Sequence, residues 1–293
     1  MGGFFMPKSK VRRMKFTAWE ARRHIEASYK SALFKLGRFL EGLVGENETA
    51  DEISARFSEY GSSEPFAAWA QNLAHTFVTH TLEENAKTWR QAAAMSGQGS
   101  TIHKALEREM SRPVGKRVDE LIAENAKYIR SVPEKVGADL VKHVQSQAYQ
   151  GRRTAYKSDE FKSLVGDMSE NHARLISRTE GAKAMSALTQ ARAESTGHDW
   201  YIWHTSKDGR VRDSHRNMND VLCRFSDPPS PEKLVGEKDV GHYGPGDIYN
   251  CRCYAAPVIL WNKVEWPCRV YADGQITLMS KPQFNAQFGG VAA

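Results

Sequence analysis

The sequence predicts an α+β protein: a mainly helical N-terminal region, then a small α+β C-terminal module with short antiparallel strands and a long Pro/Gly-rich loop. Three observations carry this. Up to Gly197 the apolar residues recur at helical spacing. Beyond it, aromatic and β-branched runs such as "DWYIWHT" and "CRVYADGQITLM" alternate with turn residues. Between those runs lies Ser226–Asp247, dense in Pro and Gly. At 293 residues the chain is long enough for one large or two medium domains with real cores.

The elements follow in order. Thr17-Ala-Trp-Glu20 has the form of a capping box, and Ile25, Tyr29, Leu33, Leu36, Leu40 and Leu43 continue it as a helical stripe that Gly45 stops. A second helix opens at Ser63 and Pro65, with Phe66, Trp69, Leu73 and Phe77 on one face, and runs towards Trp89. Ala94–Thr101 is loop by its Gly and Ser content. Val118, Leu121, Ile122 and Ile129 mark a third helix. Ser131 caps a fourth, which carries Val136, Leu140, Val141, Val144 and Ala148 and ends at Gly151. A short helix is expected at Asp159–Val165 and a long one from Ser169 to Gly197, where Ala182, Ala184, Ala187 and Ala191 permit close packing. "HDWYIWHT" and "CRCYAAPVIL" then read as strands, and Ala272-Asp273-Gly274 as the turn of a C-terminal hairpin. No internal repeat is visible.

Composition narrows the class. Hydrophobic content of 40% and charged content of 26% are those of a soluble globular protein. No stretch approaches the roughly 18 consecutive apolar residues of a membrane helix, so no membrane partner is expected. The N-terminus is not a secretory signal, and Met6 stands where myristoylation needs Ser or Thr. The protein is therefore expected to act where it is made, or to leave inside a larger particle. Formal net charge is +6, and Lys8, Lys10, Arg12, Arg13 and Lys15 fall in the first 15 residues with no acid among them. Such an arm can contact phosphates or an acidic protein face, or simply be solvated.

Four scattered cysteines do not make a disulfide framework in a chain of this length. Two of them stand close, in Asn250-Cys-Arg-Cys253. On a strand, Cys251 and Cys253 would face one side and Arg252 the other. Two thiolates are half of a tetrahedral zinc site, which His215, Cys223, His204 or His242 could extend; a packed pair of thiols and a redox pair are the alternatives. The block from Trp203 to Asp220 crowds His, Asp, Ser and Arg together. Its enzymatic reading makes His215 a base, Ser214 a nucleophile or Asp213 a ligand. Its plain reading is a turn set by Asp208 and Gly209, with Arg210 and Arg212 hydrogen-bonded structurally. No H-E-x-x-H, G-x-S-x-G or P-loop is present. Arg178 and Glu180 in "ISRTEG" are not spaced to pair along a helix, and a solvated face is the default for them.

The order of these segments is more specific than any one of them. "SVPEKVGADLVKHVQSQAYQG", "ARLISRTEGAKAMSALTQARAESTG", "DWYIWHTSKDGRVRDSHRNMND" and "NCRC" before an apolar strand together resemble the phage Mu F-protein type of minor head protein, also called head morphogenesis proteins. The match runs from about Ser131 to Leu260, and is sharpest at Arg178-Thr179-Glu180, at Trp203 to His215 and at Asn250 to Cys253. The resemblance implies a virion protein of a tailed phage or prophage, present in few copies. It implies a place at the portal vertex or in the head interior, reached from the host cytoplasm during assembly. The partners implied are the portal protein, a scaffold or major capsid protein, and double-stranded DNA. Together with the residue pattern it suggests a flexible basic arm (1–15), a helical region (16–157), the head-morphogenesis module (158–262) and a C-terminal hairpin and tail (263–293). Many relatives show Cys-x-x-Cys where this chain has Arg212-Asp-Ser-His215, and a His where it has Ile248. His215, Cys251 and Cys253 remain at matching positions, one ligand short of a closed structural zinc site unless Cys223 or His242 approaches. The expectation is a variant of a structural zinc knot and no catalytic site. A metal-dependent nuclease and a DNA-binding module are the competing readings.

Overall fold

The structure, a computed structural model, describes residues 19–96, 99–111, 113–152 and 155–289. The basic block Lys8–Lys15 and Thr17 of the expected first cap lie outside them. The α+β class holds. Among the described residues ten α-helices precede, punctuate and follow a sheet of five short strands.

Helix α1 (Arg23–Gly42) buries Ile25, Tyr29, Leu33, Leu36 and Leu40, the stripe expected from the sequence. Helix α2 (Ala50–Ser62) is not among the sequence expectations. It opens on a capping box in which Thr49 Oγ1 accepts from the Glu52 N–H at 3.3 Å and the Glu52 carboxylate accepts from the Thr49 N–H at 2.8 Å. Helix α3 (Glu64–Met95) starts at Ser63, as expected, but its buried face is Phe66, Ala70, Ala74, Phe77 and Val78. Trp69 is 37% exposed and stacks on Phe66 at the margin of that face. Helix α4 (Gly99–Glu107) takes up the end of the expected loop. Helices α5 (Pro113–Arg130) and α6 (Val132–Tyr149) meet at Ser131, whose hydroxyl donates back to the Tyr128 carbonyl at 2.8 Å instead of capping α6.

Helix α7 (Ser158–Ser195) is the spine of the molecule. The sequence suggests two helices with a break after Val165; the structure has one of 38 residues. The reason is close packing on α1: a Cβ on Gly37 would lie 2.8 Å from Ser169 Cβ, and Phe161, Val165, Ala173 and Ile176 are buried in the same core as the α1 stripe. That burial exceeds the roughly 1 kcal/mol by which Gly166 disfavours a helix. At its far end α7 enters a second core. Ala193 packs there with Trp89, Ile102 and Leu106 from α3 and α4, and with Tyr201, Trp203, Val221 and Tyr271 from the sheet. The helical region and the sheet thus share apolar contacts.

The sheet order is β3-β1-β2-β4-β5, with β1 Trp200–His204, β2 Val221–Arg224, β3 Tyr254–Pro257, β4 Cys268–Ala272 and β5 Gln275–Met279. Only β2 and β4 run parallel. Period-two alternation on β1 sends Tyr201 and Trp203 to the second core, and Trp200 and Ile202 to a third under Phe284 and Phe288 of α10 (Lys281–Phe288). The expected hairpin is present, with Asp273 and Gly274 both at positive φ (53° and 75°), as a type I′ turn requires. Two short helices, α8 (Asp213–Met218) and α9 (Pro231–Leu234), lie in segments read as turn and loop. The strand expected over Cys251–Leu260 shrinks to β3. Asn250 at φ 57° turns the chain, so both cysteines precede the strand.

Candidate metal centre

The turn before β3 is held at both ends. Gly246 (φ 96°) runs against α7, where a Cβ would sit 3.1 Å from the Ala182 carbonyl oxygen and 3.2 Å from Ser186 Cβ. Only glycine meets both demands without strain. The Asn250 N–H then donates to Thr179 Oγ1 on α7 at 3.1 Å, and the Cys251 N–H to the Ile248 carbonyl at 3.1 Å. The chain curls so that the Cys253 N–H donates to the Cys251 sulfur at 3.4 Å. The two thiols therefore face the same way, as expected for a strand, but by way of a tight turn. On the other side Arg252 pairs with Asp208 at 2.5 Å, and Asp208 also accepts from the Arg210 N–H at 3.0 Å.

Facing the thiols is α8. It is fixed to β1 by the Asn219 side chain, which accepts from the Thr205 N–H at 3.0 Å, and by the Asp220 N–H, which donates to the Trp203 carbonyl at 2.8 Å. Its first turn carries His215 into the second core, edge-on to Trp203. His215 Nδ1 lies 3.4 Å from both the Cys251 and the Cys253 sulfurs. The three ligand atoms fall within 4.8 Å of one another, and the residues are 2%, 3% and 5% exposed. Among the described residues they are the only such group.

Behind His215 lies a chain of partners that fixes its tautomer. The Tyr243 hydroxyl is 2.7 Å from both Glu232 carboxylate oxygens and 2.9 Å from His215 Nε2. The tyrosine has one proton and gives it to the carboxylate, so Nε2–H donates to Tyr243 Oη, and the Nδ1 lone pair points at the thiols. Ser214 Oγ also donates to Glu232, at 3.2 Å. That spends the serine on structure and not on a nucleophile–base pair with the adjacent His215. Burial, helped by the Glu232 hydrogen bond, raises the Tyr243 pKa and keeps it protonated. The hydrogen bond from Cys253 pushes the Cys251 pKa well down against the opposing effect of burial. Cys253 moves the other way, because its sulfur supplies that hydrogen bond and is itself buried. Two sulfurs and an imidazole nitrogen form a soft, electron-rich pocket.

The donor set suits zinc: two sulfurs and one imidazole nitrogen, with the second ring nitrogen anchored through Tyr243 to Glu232, as metal-binding histidines commonly are. Other residues singled out in the sequence lie elsewhere. Cys223 is buried on β2 across from Tyr201, with its thiol directed at the Val221 carbonyl; burial raises its pKa. His242 is exposed and bonds the Pro228 carbonyl at 2.8 Å, while the next residue, Tyr243, reaches the cluster. His204 pairs with Asp220 at 3.0 Å. Arg212 borders the site without touching the thiols: it donates to the Tyr249 carbonyl at 3.0 Å and stacks on the Tyr249 ring. Glu180 is not on a solvated face. It is 3% exposed, and burial pushes its carboxyl up to about 7. Arg178 is half-buried. Thr179 stands in the Arg178–Glu180 segment where the resemblance is sharp, but Glu232 and Tyr243 escape sequence reasoning because they act through tertiary contacts that leave no local spacing.

A family model described as phage Mu protein F like protein matches residues 100–256. The chain belongs to that family. The matched segment begins at α4, whose Ile102 and Leu106 enter the core that also holds the cluster, and ends within β3. The Mu F-like resemblance of the sequence is thereby borne out. A curated relative from Haemophilus influenzae, described as an uncharacterized protein, is 28% identical over 190 residues, which is 65% of this chain and 39% of its own length. The chain thus spans about two fifths of that relative's length. No solved structure matches. No helix among the described residues is long and apolar enough to cross a membrane.

Proposed function

We propose that the protein is a minor head component, carried in few copies, that joins the particle through contacts with the portal or the inner capsid surface. The observation that carries this is the family match over residues 100–256, which includes α7, strands β1 and β2 and the whole cluster. We infer further that His215, Cys251 and Cys253 hold a structural zinc ion through three protein ligands and catalyse no reaction. All three are buried, and no carboxylate belongs to the group. Three protein ligands leave a fourth position on the metal, so it is the burial of the group and the lack of a carboxylate base within it that favour a staple for a loop-rich region over a nuclease. Bound zinc would tie α8 to the turn before β3 and so fix the long Pro/Gly loop between them.

Chemical cross-linking of assembling particles, followed by mass spectrometry, tests the assembly role. The expected result is a reproducible set of cross-links from this chain to the portal or capsid protein; cross-links to neither overturn it. Metal analysis of the purified full chain tests the staple, with about one zinc per chain expected and none after His215→Ala. A metal-free, equally stable wild type would leave the cluster as packed thiols.

A further inference from the structure

The segments in which the resemblance is sharpest each send an arginine to one cavity. Arg178 comes from α7, Arg210 from the turn after β1, and Arg252 from between the two cysteines. Arg23 and Lys30 of α1 join them around a space of about 410 Å³ that reaches Cys253 and Tyr254. The size lies within the range of small-molecule pockets, about 300–1,000 Å³. Five cations thus face a cavity whose only carboxylates are Glu20 and Glu26. Among the described residues no carboxylate forms an ion pair with Arg23, Arg178 or Arg210, and Arg252 is held at its rim by Asp208. These cations come from four separate parts of the chain, so the fold gathers the charge and a run of basic sequence does not.

Cations crowded around a partly enclosed space repel one another and concentrate a positive field there. The arrangement is stable when an anion enters. A single carboxylate occupies one guanidinium fork. With Arg252 paired to Asp208, the three other guanidiniums and the Lys30 ammonium, arriving from different directions, call for several oxygens that carry more than one negative charge. We propose that this cavity binds a phosphate monoester or diphosphate group, with Arg178 and Arg210 as its main ligands. The site adjoins the zinc cluster at Cys253, but the proposal stands or falls without the metal and without the head-assembly reading. The group could belong to a free phosphorylated ligand or to the 5′ end of a nucleic acid.

The test is isothermal titration of the full chain with inorganic pyrophosphate at about 0.15 M salt, where exposed charges are screened. Saturable binding at one site per chain is expected. Arg178→Gln and Arg210→Gln should each weaken it by at least about tenfold, the loss of one charge-assisted hydrogen bond. Lys104→Gln, which removes an exposed cation elsewhere, should leave it unchanged. Arg210 lies exposed in a turn, so its variant keeps the proposal testable if Arg178→Gln misfolds. A second arm compares a 5′-phosphorylated oligonucleotide with its dephosphorylated twin: preference for the phosphorylated strand identifies a nucleic-acid end, and pyrophosphate binding without that preference identifies a free ligand. No saturable binding, equal loss with Lys104→Gln, or tighter binding of a glutamate-rich peptide than of pyrophosphate would overturn the proposal.

Discussion

Glu180 offers the sharpest test of the packing around α7. Its carboxyl is 3% exposed, and one oxygen has no hydrogen-bond partner. Burial raises its pKa from the usual 4.5 to about 7, with Lys183 opposing the shift and Glu124 adding to it. The folded-state pKa is therefore above the unfolded one. Below about pH 4.5 both states are protonated and Glu180 adds no pH dependence. Between 4.5 and 7 the folded state keeps a proton that the unfolded chain has lost, so stability falls as pH rises. Above 7 the full penalty applies, about 3 kcal/mol for 2.5 pH units. Glu180→Gln removes the titration. Thermal melts of both proteins from pH 4.5 to 8.5 should diverge as pH rises, the wild type losing about 5–10 °C relative to the variant. Any constant offset from the amide's own hydrogen bonding drops out of that comparison. Asp247, raised by burial to about 6, titrates in both proteins; because it shares Lys183 as a neighbour, the comparison is best repeated with Asp247→Asn in each. Parallel melting curves would refute the reasoning and return Glu180 to a solvated face.

Other perturbations probe other parts of the account. Arg192 is 1% exposed and makes two 2.8 Å bonds to the Glu109 carboxylate, with further bonds to Asn85 and the Leu82 carbonyl; Arg192→Met should cost about 3–5 kcal/mol in urea unfolding, by orphaning Glu109 and Asn85. Gly137→Ala should cost about 1–3 kcal/mol, because its Cβ would lie 2.9 Å from the Ser54 backbone where α6 crosses α2. Cys251→Ser should lower the melting temperature by an amount equal to at least about 2 kcal/mol, and a chelator should have a smaller effect on the variant than on the wild type. Equal chelator sensitivity in the two would argue against a thiolate-bound metal.

Much of the helical region is visible in sequence because a regular stripe reports local geometry. The α1 stripe, the Ser63 start of α3 and the Gly151 and Gly197 ends follow from spacing and caps alone. The exceptions have identifiable causes. Helix α2 buries mainly Ile53 and Phe57, too short a stripe to stand out, although the Thr49–Glu52 cap was available as a signal. Gly166 suggests a break that contact with α1 overrides. The candidate site was half legible. His215 and the two cysteines stand out by residue type and by family position, and the structure brings them together. The strand argument for the cysteines reached the right facing by the wrong geometry, since nothing local marks Asn250 as left-handed. Glu232 and Tyr243 are 17 and 28 residues from His215 along a loop without periodicity, so only the folded chain reveals them. The same holds for the arginine cavity, whose members are spread from Arg23 to Arg252.

The central claim, that this Mu F-like chain is a minor constituent of the phage head, is tested most directly by quantitative mass spectrometry of purified intact particles. The account predicts this chain at a fixed, low ratio to the major capsid protein, retained after the particle exterior is treated with protease. Its absence from particles produced by cells that express it would contradict the account.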